Sequence, residues 1–406
     1  MLAALAWRNL WRRPQRTLLS LASIVIVTTL LVFMLSFQIG VYATMKEATL
    51  RIFDGYAQIQ PRGYADDPTL ERALPDPAGL ARAALSIEGV TAAAPRVNGF
   101  AVLAHGERSY GAAVIGVDPA QEPRISAIAR LVREGRYLDP QDTDAAVLGD
   151  VLARNLAVSV GGRVTVLGAG QDGSVSADVL TIVGLYHSGV PELDRSILEM
   201  PLARAQATFA MEGQASTIAL GGPTLAKVNA AIPRLSSVAG RRGVSVRDWA
   251  QMEPALRDGI TLKYATASAF YATLVVVVAF IILNTLLMSV LERTREFGML
   301  LAVGMRPGLI GAMVWLELLA LALSGCAIGV AIGGGLTLWL QHTGVALPGL
   351  KDVLAQFGMP ERLYPTLTPL SAFAGPGAIL AAIALGGLVP YLRVTRLTAA
   401  IAMRAP

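Results

Sequence analysis

Four apolar stretches, separated by polar segments of very unequal length, organise the 406-residue chain. Residues 17–41, 264–291 and 369–390 carry no charged side chain, and residues 308–340 carry one, Glu317. At about 1.5 Å per residue each stretch is long enough to cross a hydrocarbon core of about 30 Å as a helix. The third is too short for two crossings and a turn, so four membrane helices are predicted. Phe33, Phe37, Gln38 and Tyr42 end the first stretch where a cleaved leader would have small residues, so it reads as an uncleaved anchor.

An even number of crossings puts both ends of the chain on one side. Arg8, Arg12, Arg13 and Arg16 precede the first stretch, and Arg393, Arg396 and Arg404 follow the last. By the positive-inside rule that side is the cytoplasm. The predicted plan is a cytoplasmic segment 1–16, a first helix and stalk 17–45, an extracytoplasmic domain 46–262 and a second helix 263–291. A cytoplasmic loop 292–305, a third helix 306–340, an external loop 341–368 with Lys351, Asp352, Glu361 and Arg362, a fourth helix 369–391 and a tail 392–406 complete it.

Within residues 46–262 the apolar periodicity is that of a folded α+β domain with two lobes. A strand 56–60, a helix 78–86 and a strand 91–97 are echoed by residues 217–220, 224–235 and 243–247, which predicts two β-α-β units in a lobe of about 46–109 plus 214–262. Alternating runs at 110–117, 163–167, 179–185 and 196–200 predict a β-rich lobe over about 110–213, closed by a helix 202–210. The fold class is therefore a four-helix membrane protein, both termini cytoplasmic, with a large α+β extracytoplasmic domain inserted between the first two helices.

Composition agrees. Apolar residues make up 54% of the chain and charged residues only 16%, and the mean hydropathy is +0.53, values outside those of an ordinary soluble protein. The net charge of +5 comes from arginines beside apolar spans, with no aromatic-basic groove pattern, so it reports topology and not nucleic-acid binding. The single cysteine, Cys326, lies in an apolar span and excludes an intrachain disulfide or a cysteine-rich metal site.

Motifs of chemistry are sparse. GAGQDG at 168–173 fits a phosphate-binding glycine pattern but joins two predicted strands with no helix behind it, so it reads as a hairpin loop. The four lysines, Lys46, Lys227, Lys263 and Lys351, do not follow glycine, so a Walker A loop is absent. His105, His187 and His342 are scattered, without HExxH or GxSxG, so neither a hydrolase nor a zinc site is expected. Gly325, Gly329 and Gly333 recur every four residues, a spacing that lets another helix approach closely. Asn284 and Glu317 are polar groups inside spans, where a charge at mid-bilayer costs about 3 kcal/mol or more, so Glu317 is expected to pair in the protein interior.

The polar break after the second span, ERTREFGMLLAVGM from Glu292, alternates charges so that Glu292 and Arg295, and Arg293 and Glu296, stand three apart on a helix. Val290, Phe297 and Leu301 form an apolar stripe, Gly304 is a stop and Pro307 suits a new first turn. A short structured helix is predicted between the second and third spans.

This run, in that setting, resembles the permease family of MacB, FtsX and the lipoprotein-releasing subunits LolC and LolE. The resemblance extends from AWRNLWRRPQRT before the first helix to the arginine-bearing tail. It implies that the loop is a coupling helix docking a separate ABC ATPase through Glu292, Arg293, Thr294, Arg295, Glu296, Phe297, Gly298 and Met299. Two ATPase copies on the partner chains would carry ATP and Mg, with no cofactor, metal or catalysis in this chain. It further implies a second permease copy or paralogue and a bacterial inner-membrane location. Gly116, Asp118 and Pro119 of GVDPAQEPRI, and Ser188, Gly189, Glu192 and Asp194 of YHSGVPELD, are closer to the LolC and LolE branch. The implied function is release of lipoprotein or another amphiphilic substrate by mechanical transmission. MacB-like export with an adaptor and outer-membrane duct, and FtsX-like activation of a cell-wall hydrolase, are the alternatives. The loop 168–177 lacks the proline-bearing hook associated with LolC, so a periplasmic carrier is not implied by it.

Overall fold

The computed structural model describes Asn9, residues 14–349, Leu354 and residues 359–396, without the side chains of Arg16, Leu286 and Ser289. Arg8, Arg12, Arg13, Lys351, Asp352 and Arg404 lie outside the described residues. The chain divides into two units: residues 44–259 with 347–361, and residues 1–43, 260–346 and 362–406.

The first unit is built on one sheet of ten strands. They are β1 (Ala57–Pro61), β2 (Ala92–His105), β3 (Arg108–Val117), β4 (Val132–Gly135), β5 (Ala145–Gly149), β6 (Arg163–Ala169), β7 (Val175–Tyr186), β8 (Ile197–Pro201), β9 (Thr217–Gly221) and β10 (Val244–Asp248). The order β10-β1-β9-β2-β3-β8-β5-β7-β4, with β6 between β2 and β7, makes the two predicted lobes parts of one sheet.

In the first lobe β9 lies between β1 and β2 in antiparallel register, Ala57 opposite Leu220 and Ala93 opposite Leu220 on the other side. That is a split β-α-β arrangement, in which each crossover helix joins two parallel strands separated by a third. The crossover helices Pro77–Leu85 and Leu225–Arg241 begin at side-chain caps, Asp76 accepting from Gly79 N and Thr224 from Lys227 N. Their apolar faces cover the sheet with Leu80, Val228 and Leu235 against Tyr56, Ile59 and Ile218.

β2 is longer than the sequence pattern predicts because it serves both lobes. Residues 92–96 pair with β9, residues 101–104 pair with β6, and β3 runs beside 96–105. Gly99, which interrupts the alternation, is where the Phe209 ring packs: a Cβ there would lie 2.4 Å from its Cζ. Phe209 sits in the second lobe's core with Leu103, Val114, Leu148, Val166 and Ile182. The 168–173 run is the β6–β7 hairpin loop, Gly168 opposite Ser176 and Gly173 at positive φ.

The second unit holds four helices long and apolar enough to cross a membrane, Thr17–Ile52 and Pro254–Glu292, which both continue into the other unit, Pro307–Thr343 and Pro369–Thr395. The third is continuous, and its glycine stripe faces the first helix. A Cβ on Gly325 would lie 2.6 Å from Ile24 Cγ2, and one on Gly329 2.5 Å from Thr28 Cβ; Gly333 lies against Thr29 and Val32. Thr29 Oγ1 donates to the Gly329 carbonyl oxygen at 3.3 Å. The fourth helix starts at a capping box of Thr368 and Ser371, and Ser36 Oγ reaches Ser371 Oγ at 2.8 Å. Trp315 Nε1 donates to the Ala384 carbonyl oxygen at 3.0 Å, joining the third and fourth helices.

Candidate functional site

The second helix ends at Glu292, and Arg293 leaves helical geometry for one residue before Thr294–Ala302 resumes as a separate helix. Thr294 Oγ1 stabilises this joint by bonding to the carbonyl oxygens of Val290 at 3.1 Å and Leu291 at 2.8 Å. Gly304, at φ +99, closes the short helix, and Pro307 opens the next.

The short helix has two faces. Thr294, Phe297 and Gly298 are buried, and the Phe297 ring packs with Val290, Ile310, Met313, Val314 and Val394. Glu292, Arg295, Glu296 and Met299 are exposed. Of the eight loop residues named from sequence, the structure thus turns Thr294, Phe297 and Gly298 inward as the anchor and leaves those four outward.

Arg293 is the hinge pin between the faces. Its guanidinium lies 5.3 Å from the Phe297 ring centroid, its Nε reaches Glu296 Oε2 at 3.3 Å, and its Nη1 reaches Glu317 Oε2 at 3.1 Å. Asn9 Nδ2 donates to Glu317 Oε1 at 2.8 Å. Glu317, a carboxylate inside the third helix, is therefore held by the short helix and by the segment before the first helix. Sequence reasoning placed Glu317 in the interior without its partners. The available signal was that Arg293 and Glu317 stand at similar distances on either side of Gly304, which levels them in a helical hairpin. Asn284 is exposed on the second helix and belongs to no part of this network.

The motifs in the sheet unit lie elsewhere. Gly116 admits the helix Leu202–Thr208, since a Cβ there would be 2.3 Å from Ala205 Cβ. Asp118 Oδ1 accepts from Ala120 N at 2.9 Å in the turn with Pro119. Ser188 donates from both N and Oγ to Asp194 Oδ1, at 2.8 and 2.6 Å, across Gly189, whose φ is +80. Glu192 is exposed beside Arg195.

A buried polar group that sequence reasoning missed joins the two lobes. Arg96 is enclosed with Glu122, their closest approach 2.5 Å, and Arg96 Nη2 also donates to the Phe53 carbonyl oxygen at 2.6 Å. Tyr137 donates its hydroxyl to Glu199 Oε2 at 2.7 Å. Burial first, and then the charge of Glu122, push the Glu199 carboxyl up to about 8.

Comparison with known proteins gives two matches to family models: a MacB-like periplasmic core domain over residues 17–238 and an FtsX-like permease C-terminal region over residues 268–399. The lipoprotein-releasing system transmembrane protein LolC of Neisseria meningitidis is 27% identical over 300 residues, 72% of this chain and 69% of that protein. LolE of Haemophilus influenzae is 24% identical over 255 residues, 61% of this chain and 60% of its own length. The match thus leaves about a third or more of each relative uncovered. The periplasmic region of MacB from Actinobacillus actinomycetemcomitans superimposes with a TM-score of 0.37 at 13% identity, covering 50% of this chain and 92% of that one.

Proposed function

The chain belongs to the MacB/FtsX-like family of ABC transporter permeases, and from that premise we propose that it couples ATP hydrolysis on a separate ATPase to release of a lipoprotein or similar amphiphile at the outer face of the bacterial inner membrane. Both termini and residues 292–305 face the cytoplasm in this reading, and a second permease copy or paralogue completes the transporter. ATP and Mg act on the partner chains.

The observation that carries the proposal is the two-faced helix Thr294–Ala302. Its inner face is locked into the membrane unit by Phe297 and by the Arg293–Glu317 pair, while Glu292, Arg295, Glu296 and Met299 stand outward. A rigidly anchored helix with an exposed charged face transmits displacement of a bound partner directly to the third helix. Two further facts support an amphiphilic substrate. LolC and LolE, named for lipoprotein release, are among the relatives. An apolar groove of about 730 Å³, lined by Leu30, Met34, Phe270, Tyr271 and Leu274, runs between the first and second helices and suits an acyl chain.

Glu296→Lys tests the docking role, because it reverses charge on the outer face and leaves Phe297 in place. The membrane unit should fold, copurification with the ATPase should fall, and stimulated ATP hydrolysis should fall with it. Unchanged association together with unchanged stimulation would overturn the assignment. Lipid-linked protein retained after mild extraction supports the substrate class; an adaptor crosslinked in its place favours export of a soluble amphiphile.

A further inference from the structure

We propose that Asp150, His187 and Asp194 form a binding site for a zinc-type divalent cation in the extracytoplasmic unit. The topology brings them together. β5 pairs in parallel with β7, Gly149 opposite Tyr186, so the next residue of each strand, Asp150 and His187, stands at the same sheet end. The helix Pro191–Ser196 packs on Gly149 so closely that a Cβ there would lie 2.2 Å from the Asp194 carbonyl oxygen, which delivers Asp194 to the same point.

Two of the three donor spacings match a coordination shell. His187 Nδ1 lies 3.3 Å from Asp150 Oδ2 and 3.3 Å from Asp194 Oδ2, and the candidate donor atoms all fall within 4.8 Å of one another. A tetrahedral ion with bonds of 2.0–2.1 Å holds its ligand atoms about 3.3 Å apart. A hydrogen-bonded ion pair at this place would sit nearer 2.7–2.9 Å, and one Nδ1–H would have to serve both carboxylates.

The surroundings fit a ligand set. Asp194 is 1% exposed, and its other oxygen is fixed by Ser188 N and Oγ, the outer support that orients metal ligands. Asp150 Oδ1 is buried with no hydrogen-bond partner among the described residues. Arg154 Nη1 touches Asp150 Oδ2 at 2.7 Å, but this is a surface pair on one helix, with the arginine side chain 65% exposed, and it yields to a cation. One imidazole with two carboxylates neutralises a divalent charge and suits zinc. His187, Ser188 and Asp194 also line a cleft of about 1020 Å³ together with Arg51, Arg130 and Arg133. In a domain without cysteine, such an ion would tie two strand ends and a helix as a disulfide does elsewhere.

The test uses the untagged full-length chain in detergent, stripped with chelator and titrated with Zn²⁺. Metal analysis after gel filtration should find one zinc per chain, the thermal unfolding midpoint should rise, and Co²⁺ should give the visible absorption of a tetrahedral site. His187→Ala, at an exposed position, should weaken binding by about tenfold or more and abolish the midpoint shift, and Asp150→Asn should do the same. Substoichiometric zinc, or binding untouched by His187→Ala, would overturn the proposal. So would a wild-type midpoint that ignores Zn²⁺.

Discussion

Two arginine–glutamate pairs, one in each unit, have different consequences for the chain. Arg96 and Glu122 in the sheet unit are 1% and 0% exposed, and the guanidinium is also claimed by a backbone carbonyl. Arg293 and Glu317 in the membrane unit are 13% and 8% exposed, and they lie at a break between two helices beside an exposed charged face. The first is sealed between β2 and the helical turn Glu122–Arg124 that follows β3, so its work is to fix how β2 joins the two lobes. The second spans a joint, so whatever displaces the short helix loads the third helix through it. Burial of a salt bridge by itself says little about function; the element on which each partner sits makes the distinction.

The comparison breaks most visibly at Arg96. Arg96→Ala leaves Glu122 buried without a countercharge and should cost about 3–5 kcal/mol, read as a lower unfolding midpoint of the detergent-solubilised chain. A loss near the ±0.5 kcal/mol typical of surface sites would mean that the pair is not sealed.

The neighbouring Glu199 sharpens the same contrast through pH. Its folded pKa of about 8 stands above the ordinary carboxyl value of 4.5, so the folded state holds the extra proton between these values. Stability from this group is full below about 4.5 and declines as pH rises toward about 8. Glu199→Gln should flatten that decline and stabilise the chain at pH 8 by an amount on the order of a few kcal/mol. Parallel pH profiles for the variant and the parent would remove Glu199 from the account.

The outer parts of the fold were readable because local pattern and tertiary role coincide there. The strands and helices about β1, β9 and β10 alternate with the expected periods, and the length of residues 308–340 allows only one helix. β2 was read short because Gly99 breaks its alternation, and the cause is a contact from Phe209, over a hundred residues away. At the short helix the spacing of Arg293 and Glu296 predicted their pair, and the apolar stripe of Val290, Phe297 and Leu301 marks the face that the structure buries, although the family resemblance sets Phe297 among the docking residues. Glu317 announced itself by being charged in an apolar span, yet its pairing with Arg293 depends on how Gly304 turns the chain, and its bond from Asn9 on a contact over three hundred residues apart. His187 reads in sequence as a scattered histidine and Asp194 as a motif residue, and nothing links either to Asp150, because the parallel pairing of β5 with β7 that brings Asp150 beside His187 is invisible in local spacing.

Glu317→Gln tests the joint. The amide keeps the shape but loses the charge that holds Arg293, at a cost of about 1–3 kcal/mol. The ATPase should still bind, since the outer face is intact, while stimulation of its turnover by substrate falls. Loss of binding and stimulation together would mean that the pair only holds the fold, as Arg96 does.

Arg295→Ala should have the smallest effect on the molecule and the most selective effect on its partner. Arg295 is exposed on the helix surface, so stability should stay within about 0.5 kcal/mol. A rim charge at a docking face is worth about 1 kcal/mol, so the affinity for the ATPase should fall several-fold, mainly through a slower association that grows milder at high salt. Set beside Glu317→Gln, this separates contact from transmission: one variant binds weakly and transmits fully once bound, the other binds normally and transmits poorly. If saturating ATPase fails to restore stimulation to Arg295→Ala, the outer face takes part in transmission itself, and the division of labour between the two faces of this helix fails.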